Sequence, residues 1–178
     1  MPKAARIHLG TFGRVHGLRG EVRLRVSRLL EPAIPGLPRV FLAREDGESR
    51  ALSIEGARPH GDAFLLKLEG IDDRTGAEAL RGAEVEAARE DLEAAGAEGP
   101  FVEDLVGLRV ETREGRAIGT LEDVLEYPAG DLYKVRGDGA EHLIPAVPAI
   151  VVAIDLEDGR MVVDPPPGLL DINRQPVK

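Results

Sequence analysis

The residue types best suited to chemistry are four histidines, His8, His16, His60 and His142, and a surplus of carboxylates. No cysteine occurs in the 178 residues. A zinc site takes several nitrogen or sulfur ligands at short, recurring spacings. These histidines are widely separated, none forms an H-x-x-x-H pair, and no thiolate assists them, so no metal is expected. A G-x-S-x-G elbow and a G-x-x-x-x-G-K-[ST] phosphate loop are both missing. Pairing two of the 32 Asp and Glu for acid and base work would need strands not yet placed, and their default reading is a solvated acidic surface. We expect a protein that binds rather than turns over, with no cofactor and no small-molecule substrate.

The stretch that says most is Gly10-Thr11-Phe12-Gly13-Arg14-Val15-His16-Gly17-Leu18-Arg19-Gly20-Glu21-Val22. Gly17 and Gly20 allow backbone angles closed to other residues, so they frame a compact loop that holds Arg14, His16 and Arg19 around it. Arg23 and Arg25 follow on the polar face of an alternating run in which Val22, Leu24 and Val26 form the apolar face. Such a basic loop on a barrel rim could grip phosphates. It could equally be an ordinary connection whose arginines lie over the barrel wall, and residue types alone leave both readings open.

Charge along the chain sharpens the choice. Net charge is -9, but residues 1–90 hold 15 Lys and Arg against 14 Asp and Glu, whereas 91–178 hold 8 against 18. The first thirty residues carry seven basic side chains and one acidic one, Glu21. Any phosphate contact should be sought at the N-terminal end, where an arginine-rich strand could also simply solvate a barrel face.

The elements that must position these groups read as short strands. Ile7 to Thr11, Val22 to Val26, Arg39 to Ala43, Ala51 to Ala57, Ala63 to Leu68 and Glu84 to Ala87 are strand candidates, with turns at Asp46-Gly47 and Gly61-Asp62. One helix is expected after an N-cap region at Asp72-Asp73-Arg74-Thr75, stopping at Gly82. Around 89–100 the chain is small and acidic and is broken by Gly96, Gly99 and Pro100, which reads as a linker without regular structure. Beyond it, Leu105 to Val110, Ala117 to Tyr127, Leu132 to Val135, Glu141 to Ile144, Ile150 to Ile154 and Met161 to Val163 suggest a second set of strands. A turn of helix is expected at 168–172 and a frayed tail at 173–178. The expectation is an all-β chain of two small β-barrels, over residues 1–90 and 101–178, joined by a linker at 91–100. With only four Phe and two Tyr, the cores must be built from Val, Leu, Ile and Ala. No stretch approaches the roughly 20 apolar residues of a membrane span, and with cysteine absent we expect a soluble cytoplasmic protein.

Gly13-Arg14-Val15-His16-Gly17-Leu18-Arg19-Gly20-Glu21-Val22 resembles the opening signature of the RimM family of ribosome maturation factors. Asp73-Arg74 with Ala77 to Gly82 resembles the helix that closes that family's first domain. Glu103-Asp104-Leu105-Val106-Gly107-Leu108, Gly119-Thr120, Gly130-Asp131, Leu143-Ile144-Pro145-Ala146-Val147 and Asp164 to Asp171 are similar, in order, to its PRC-barrel half. The resemblance implies a six-stranded, translation-factor-like barrel followed by a PRC barrel, in a non-catalytic assembly chaperone. The implied partners are small-subunit ribosomal protein nineteen of the 30S head, the immature 30S subunit and its 16S rRNA. Arg14, His16, Arg19, Arg23 and Arg25 are then the rRNA candidates, and Gly13, Gly17, Gly20 and Gly107 the structural glycines. Phe101, Val102, Asp104, Leu105, Asp131 and Pro145 are the ribosomal-protein candidates, on a chain expected to be monomeric. Phe101-Val102 stands where the family commonly has two adjacent tyrosines, so both hydroxyls are lost there. The alternatives are a flavin-type ligand-binding barrel and a PRC adaptor that binds proteins alone.

Overall fold

The computed structural model describes residues 5–43, 49–172 and 174–176. The turn expected at Asp46-Gly47 lies outside them. Two compact units emerge, Ala4–Gly99 and Pro100–Lys178.

In the first unit six strands close a barrel: β1 (Arg6–His16), β2 (Glu21–Leu24), β3 (Arg39–Ala43), β4 (Ser49–His60), β5 (Ala63–Leu68) and β6 (Glu84–Ala88), in the order β1-β2-β5-β4-β3-β6. Closure depends on β1, which pairs with β6 from Arg6 to Thr11 and with β2 from Phe12 to His16, shifting register in each ladder. A strand that changes partners at a bulge turns a barrel corner and leaves no open edge. The alternation seen in β2 is kept: Val22 and Leu24 are fully buried, while Glu21 and Arg23 lie on the outer face. Ile7, Phe12, Phe64, Leu66, Leu68 and Val85 complete the interior, which fits a core poor in aromatic residues.

Helix α1 (Arg74–Glu78) begins where the sequence placed it, with the Asp73 carboxylate accepting the Gly76 N–H at 2.7 Å. The region read as an unstructured linker is different. It opens as a short helix, α2 (Arg89–Ala94), whose Leu92 is fully buried, and the first unit reaches to Gly99. A 3-10 turn at Glu31–Gly36 was not anticipated either; it buries Ala33 and Ile34.

The second unit holds α3 (Val102–Leu105), β7 (Arg109–Thr112), β8 (Ala117–Leu125), β9 (Leu132–Gly137), β10 (Ala140–Pro145), β11 (Val151–Asp155), β12 (Arg160–Val163), α4 (Leu169–Ile172) and β13 (Arg174–Pro176). The sheet order is β11-β12-β7-β8-β9-β10-β13, with β12 and β7 parallel. Val110, Leu121, Val135, Ile144, Met161 and Val163 meet in one core to which every strand from β7 to β12 adds at least a partly buried residue. The sheet therefore wraps round a single interior. Two expectations are corrected. Leu105 to Val110 is not one strand, since Leu105 ends α3, Gly107 turns the chain at φ 95°, and β7 starts at Arg109. Within the tail expected to fray, Arg174–Pro176 pairs with β10 as β13. Among the described residues no helix is long and apolar enough to cross a membrane.

Candidate nucleic-acid interface

Strands β1 and β2 are joined by the four residues Gly17-Leu18-Arg19-Gly20, with His16 opposite Glu21 and Val15 opposite Val22. The two glycines serve different needs. Gly17, at φ 64°, has nothing within 4 Å of where a Cβ would sit. Gly20, at φ 74°, is buried, and its Cβ would lie 2.3 Å from the Ile71 carbonyl oxygen. One glycine bends the loop and the other lets it dock on the backbone before α1. The docked loop presents His16, Leu18 and Arg19 to solvent, and Leu18 is 78% exposed. Gly13 has no positive φ; a Cβ there would lie 3.4 Å from the Arg23 carbonyl oxygen, so β1 and β2 run close at this point.

Beside the loop, Thr11, Gly13, Arg14, Arg23 and Arg25 line a shallow hollow of about 370 Å³. The five rRNA candidates are thus brought to one hairpin, though in unequal electrostatic states. Arg23 and Arg25 both pair with Asp62 in the turn between β4 and β5. Arg58 grips Glu21 through two hydrogen bonds of 3.0 Å. That bidentate contact, helped by the charges of Arg58, His16 and Arg19, holds the Glu21 carboxyl below its ordinary range, and it raises Arg58 in turn. Among the described residues neither Arg14 nor Arg19 has a carboxylate within ion-pair distance. Five guanidinium groups face two carboxylates, so the hairpin surface keeps an excess of positive charge, most available at Arg14 and Arg19. Sequence reasoning missed Arg58, Asp62 and His60, because register across β2, β5 and β4 decides their proximity.

In the second unit, Phe101 and Leu105 are buried, 5% and 4% exposed. Asp104 accepts a hydrogen bond from the Phe101 N–H at 3.1 Å and so fixes the start of α3. Val102, Asp131 and Pro145 remain half-exposed. Asp131 and Pro145 meet at one end of the sheet, where Pro145 pairs with Leu132 and the Asp131 carbonyl accepts the Ala146 N–H at 2.9 Å. Tyr127 and Val147, 48% and 39% exposed, flank the same connections. They escaped the sequence reading; the signal was a tyrosine next to the Pro128-Ala129-Gly130 stop, in a chain with only two tyrosines.

Residues 7–92 match the model of the RimM N-terminal domain, and residues 102–169 match that of the RimM PRC barrel domain. The chain belongs to the RimM family. A ribosome maturation factor RimM of Frankia casuarinae is 43% identical over 96% of this chain and 99% of its own. The protein of the same name from Streptomyces avermitilis is 42% identical over 90% of this chain and 87% of its own. The crystal structure of a 16S ribosomal RNA processing protein RimM from Pseudomonas aeruginosa is 30% identical, covering 89% of this chain and 96% of that one, with a TM-score of 0.45. Membership accounts for the two-barrel, almost all-β architecture. Within this RimM chain, no three His, Asp or Glu side chains converge as metal ligands among the described residues. His142 is buried with its Nδ1 3.2 Å from the Leu170 carbonyl oxygen, which makes it a tie to the α4 segment.

Proposed function

We propose that this chain is a cytoplasmic maturation factor that binds the small ribosomal subunit during assembly, without catalysis and without a cofactor. In this reading the hairpin of β1 and β2 meets rRNA phosphates, and the acidic PRC unit meets a basic ribosomal protein of the subunit head, number nineteen. The observation that supports it best is the pair of exposed cations Arg14, on β1, and Arg19, on the loop that Gly20 anchors to the barrel, neither of which has a carboxylate within ion-pair distance among the described residues. A guanidinium held on a rigid loop without an internal partner loses little on meeting a phosphate.

For the protein partner the supporting surface is the end of the sheet around Asp131 and Pro145, with Tyr127 and Val147 beside it. A tyrosine and aliphatic groups rimmed by acidic charge suit a basic protein, since complementary potentials steer the encounter while apolar contact holds it. Phe101 and Leu105 are buried, so Val102, Glu103 and Asp104 are the half-exposed residues of α3 open to a partner. Dissociation needs no chemistry, only the loss of the matching surface when the subunit matures.

The test is charge reversal. Arg14→Glu with Arg19→Glu should weaken binding to immature small subunits by about tenfold or more at physiological salt, because two phosphate contacts become repulsions. The melting curve should hardly move, as neither side chain is packed. Unchanged binding would remove the loop from the rRNA contact.

A further inference from the structure

On the outer rim of the first barrel two imidazole rings meet. His16 ends β1 and His60 ends β4; their centroids are 4.7 Å apart and their planes tilted by 57°. Both residues are exposed. Next to them the loop tip carries Leu18, the most exposed large apolar residue described, and Arg19. Nothing in the barrel requires this arrangement: a turn tip gains no packing from a leucine in water, and exposed rings bury little of their own area. The cations flanking these residues in β4 and in the loop differ in availability, since Arg58 is engaged by Glu21 while Arg19 is not in an ion pair among the described residues.

Taking the rRNA reading above as its basis, we propose that this rim selects unpaired RNA, with a splayed base lying against the His16 and His60 rings. Leu18 sits against the base or the next step of the strand, and Arg19 and Arg14 hold the adjoining phosphates. An A-form duplex offers proteins its 2′-hydroxyls and phosphates across a shallow groove, and its base faces are covered by stacking. Two tilted rings and an apolar tip have nothing to grip on such a surface. Loops, bulges and single strands expose base faces, and aromatic side chains on a basic surface are the recurring means of holding them. Such contact is tolerant of sequence, because every base has a π face. The unfinished subunit, whose rRNA is incompletely paired, is the form that displays this ligand.

The full-length chain is titrated by fluorescence anisotropy with a 12-nucleotide single-stranded RNA and with a hairpin RNA duplex of equal charge, then with immature small subunits. The single strand should bind more tightly than the duplex. His16→Ala with His60→Ala should lower single-strand affinity by about five- to a hundredfold, the span of one lost stacking contact, and leave duplex affinity unaltered. His16→Phe with His60→Phe, which keeps the rings and discards the nitrogens, should restore single-strand binding; Leu18→Ser should reduce it. Equal affinity for the two RNAs, or failure of the phenylalanine pair to restore what the alanine pair loses, overturns the proposal. So does a ring variant that loses immature subunits while keeping RNA affinity, since the rings would then face a protein. If Arg14→Glu with Arg19→Glu still abolishes subunit binding, the rRNA reading survives that result. If the charge reversals have no effect either, both fall together.

Discussion

The two loop glycines show how one residue type carries different constraints. A Cβ at Gly20 meets the Ile71 carbonyl oxygen at 2.3 Å on top of a positive φ, whereas a Cβ at Gly17 meets nothing and suffers only the left-handed backbone. Gly17→Ala should therefore cost about 1 kcal/mol and Gly20→Ala distinctly more, about 2 kcal/mol or above, read as the order of their melting temperatures. Equal costs would mean that the loop does not rest on the segment before α1. Glu21 permits a test by pH. Its folded-state carboxyl titrates below the ordinary value of 4.5, chiefly through the Arg58 hydrogen bonds. Its stabilisation is therefore complete above that value and disappears as the pH falls through the folded-state one. Because the Arg58 side chain is more than half exposed, solvent screens the pair and its contribution is small. Glu21→Gln should lower the melting temperature at pH 7 and by progressively less as the pH falls below 4.5; a deficit that does not shrink on acidification would show that the ion pair is not its source.

Among the elements, strands declared themselves through alternation, and helices did so at the Asp73 cap and in the turn after Pro165-Pro166-Pro167. Val22 and Leu24 alternating with Arg23 predicted β2 and its inward face, and Asp73 predicted α1, because in each case local chemistry decides the outcome. Helix α2 was hidden because Arg89 to Ala94 holds a single apolar anchor, and only the barrel supplies the cavity that Leu92 fills. Helix α3 was hidden for a related reason. Leu105, Leu108 and Val110 are all buried, and that spacing serves a strand or a helix followed by a turn equally well. The site was legible as a loop, and its electrostatics were not: Asp62 reaches Arg23 and Arg25, and Arg58 reaches Glu21, only through the pairing of β2 with β5 and of β5 with β4. If α2 belongs to the fold, Leu92→Ala should cost about 2–5 kcal/mol, whereas Glu98→Ala, in the exposed segment beyond it, should cost nothing measurable. Denaturant midpoints of the two variants compare them directly, and a neutral Leu92→Ala would return α2 to the status of a linker.

At the scale of the whole chain, a net charge of -9 is unevenly divided, with 14 Lys and Arg against 17 Asp and Glu in residues 4–99, which include the basic hairpin, and 8 against 15 in residues 100–178. On the proposed reading, that division suits a single chain to both components of a ribonucleoprotein, phosphates at the β1–β2 rim and a basic protein at the Pro145 end of the β9–β10 ladder. It also predicts ionic-strength dependence, with association weakening as salt rises because exposed charge contacts carry it. The central claim is that these surfaces are matched to an unfinished small subunit and lose their match on completion. A sucrose-gradient profile of a growing culture, probed for this chain, tests that most directly. The account predicts a peak with free small subunits and none with complete ribosomes, while absence from both fractions, or equal presence in both, would contradict it.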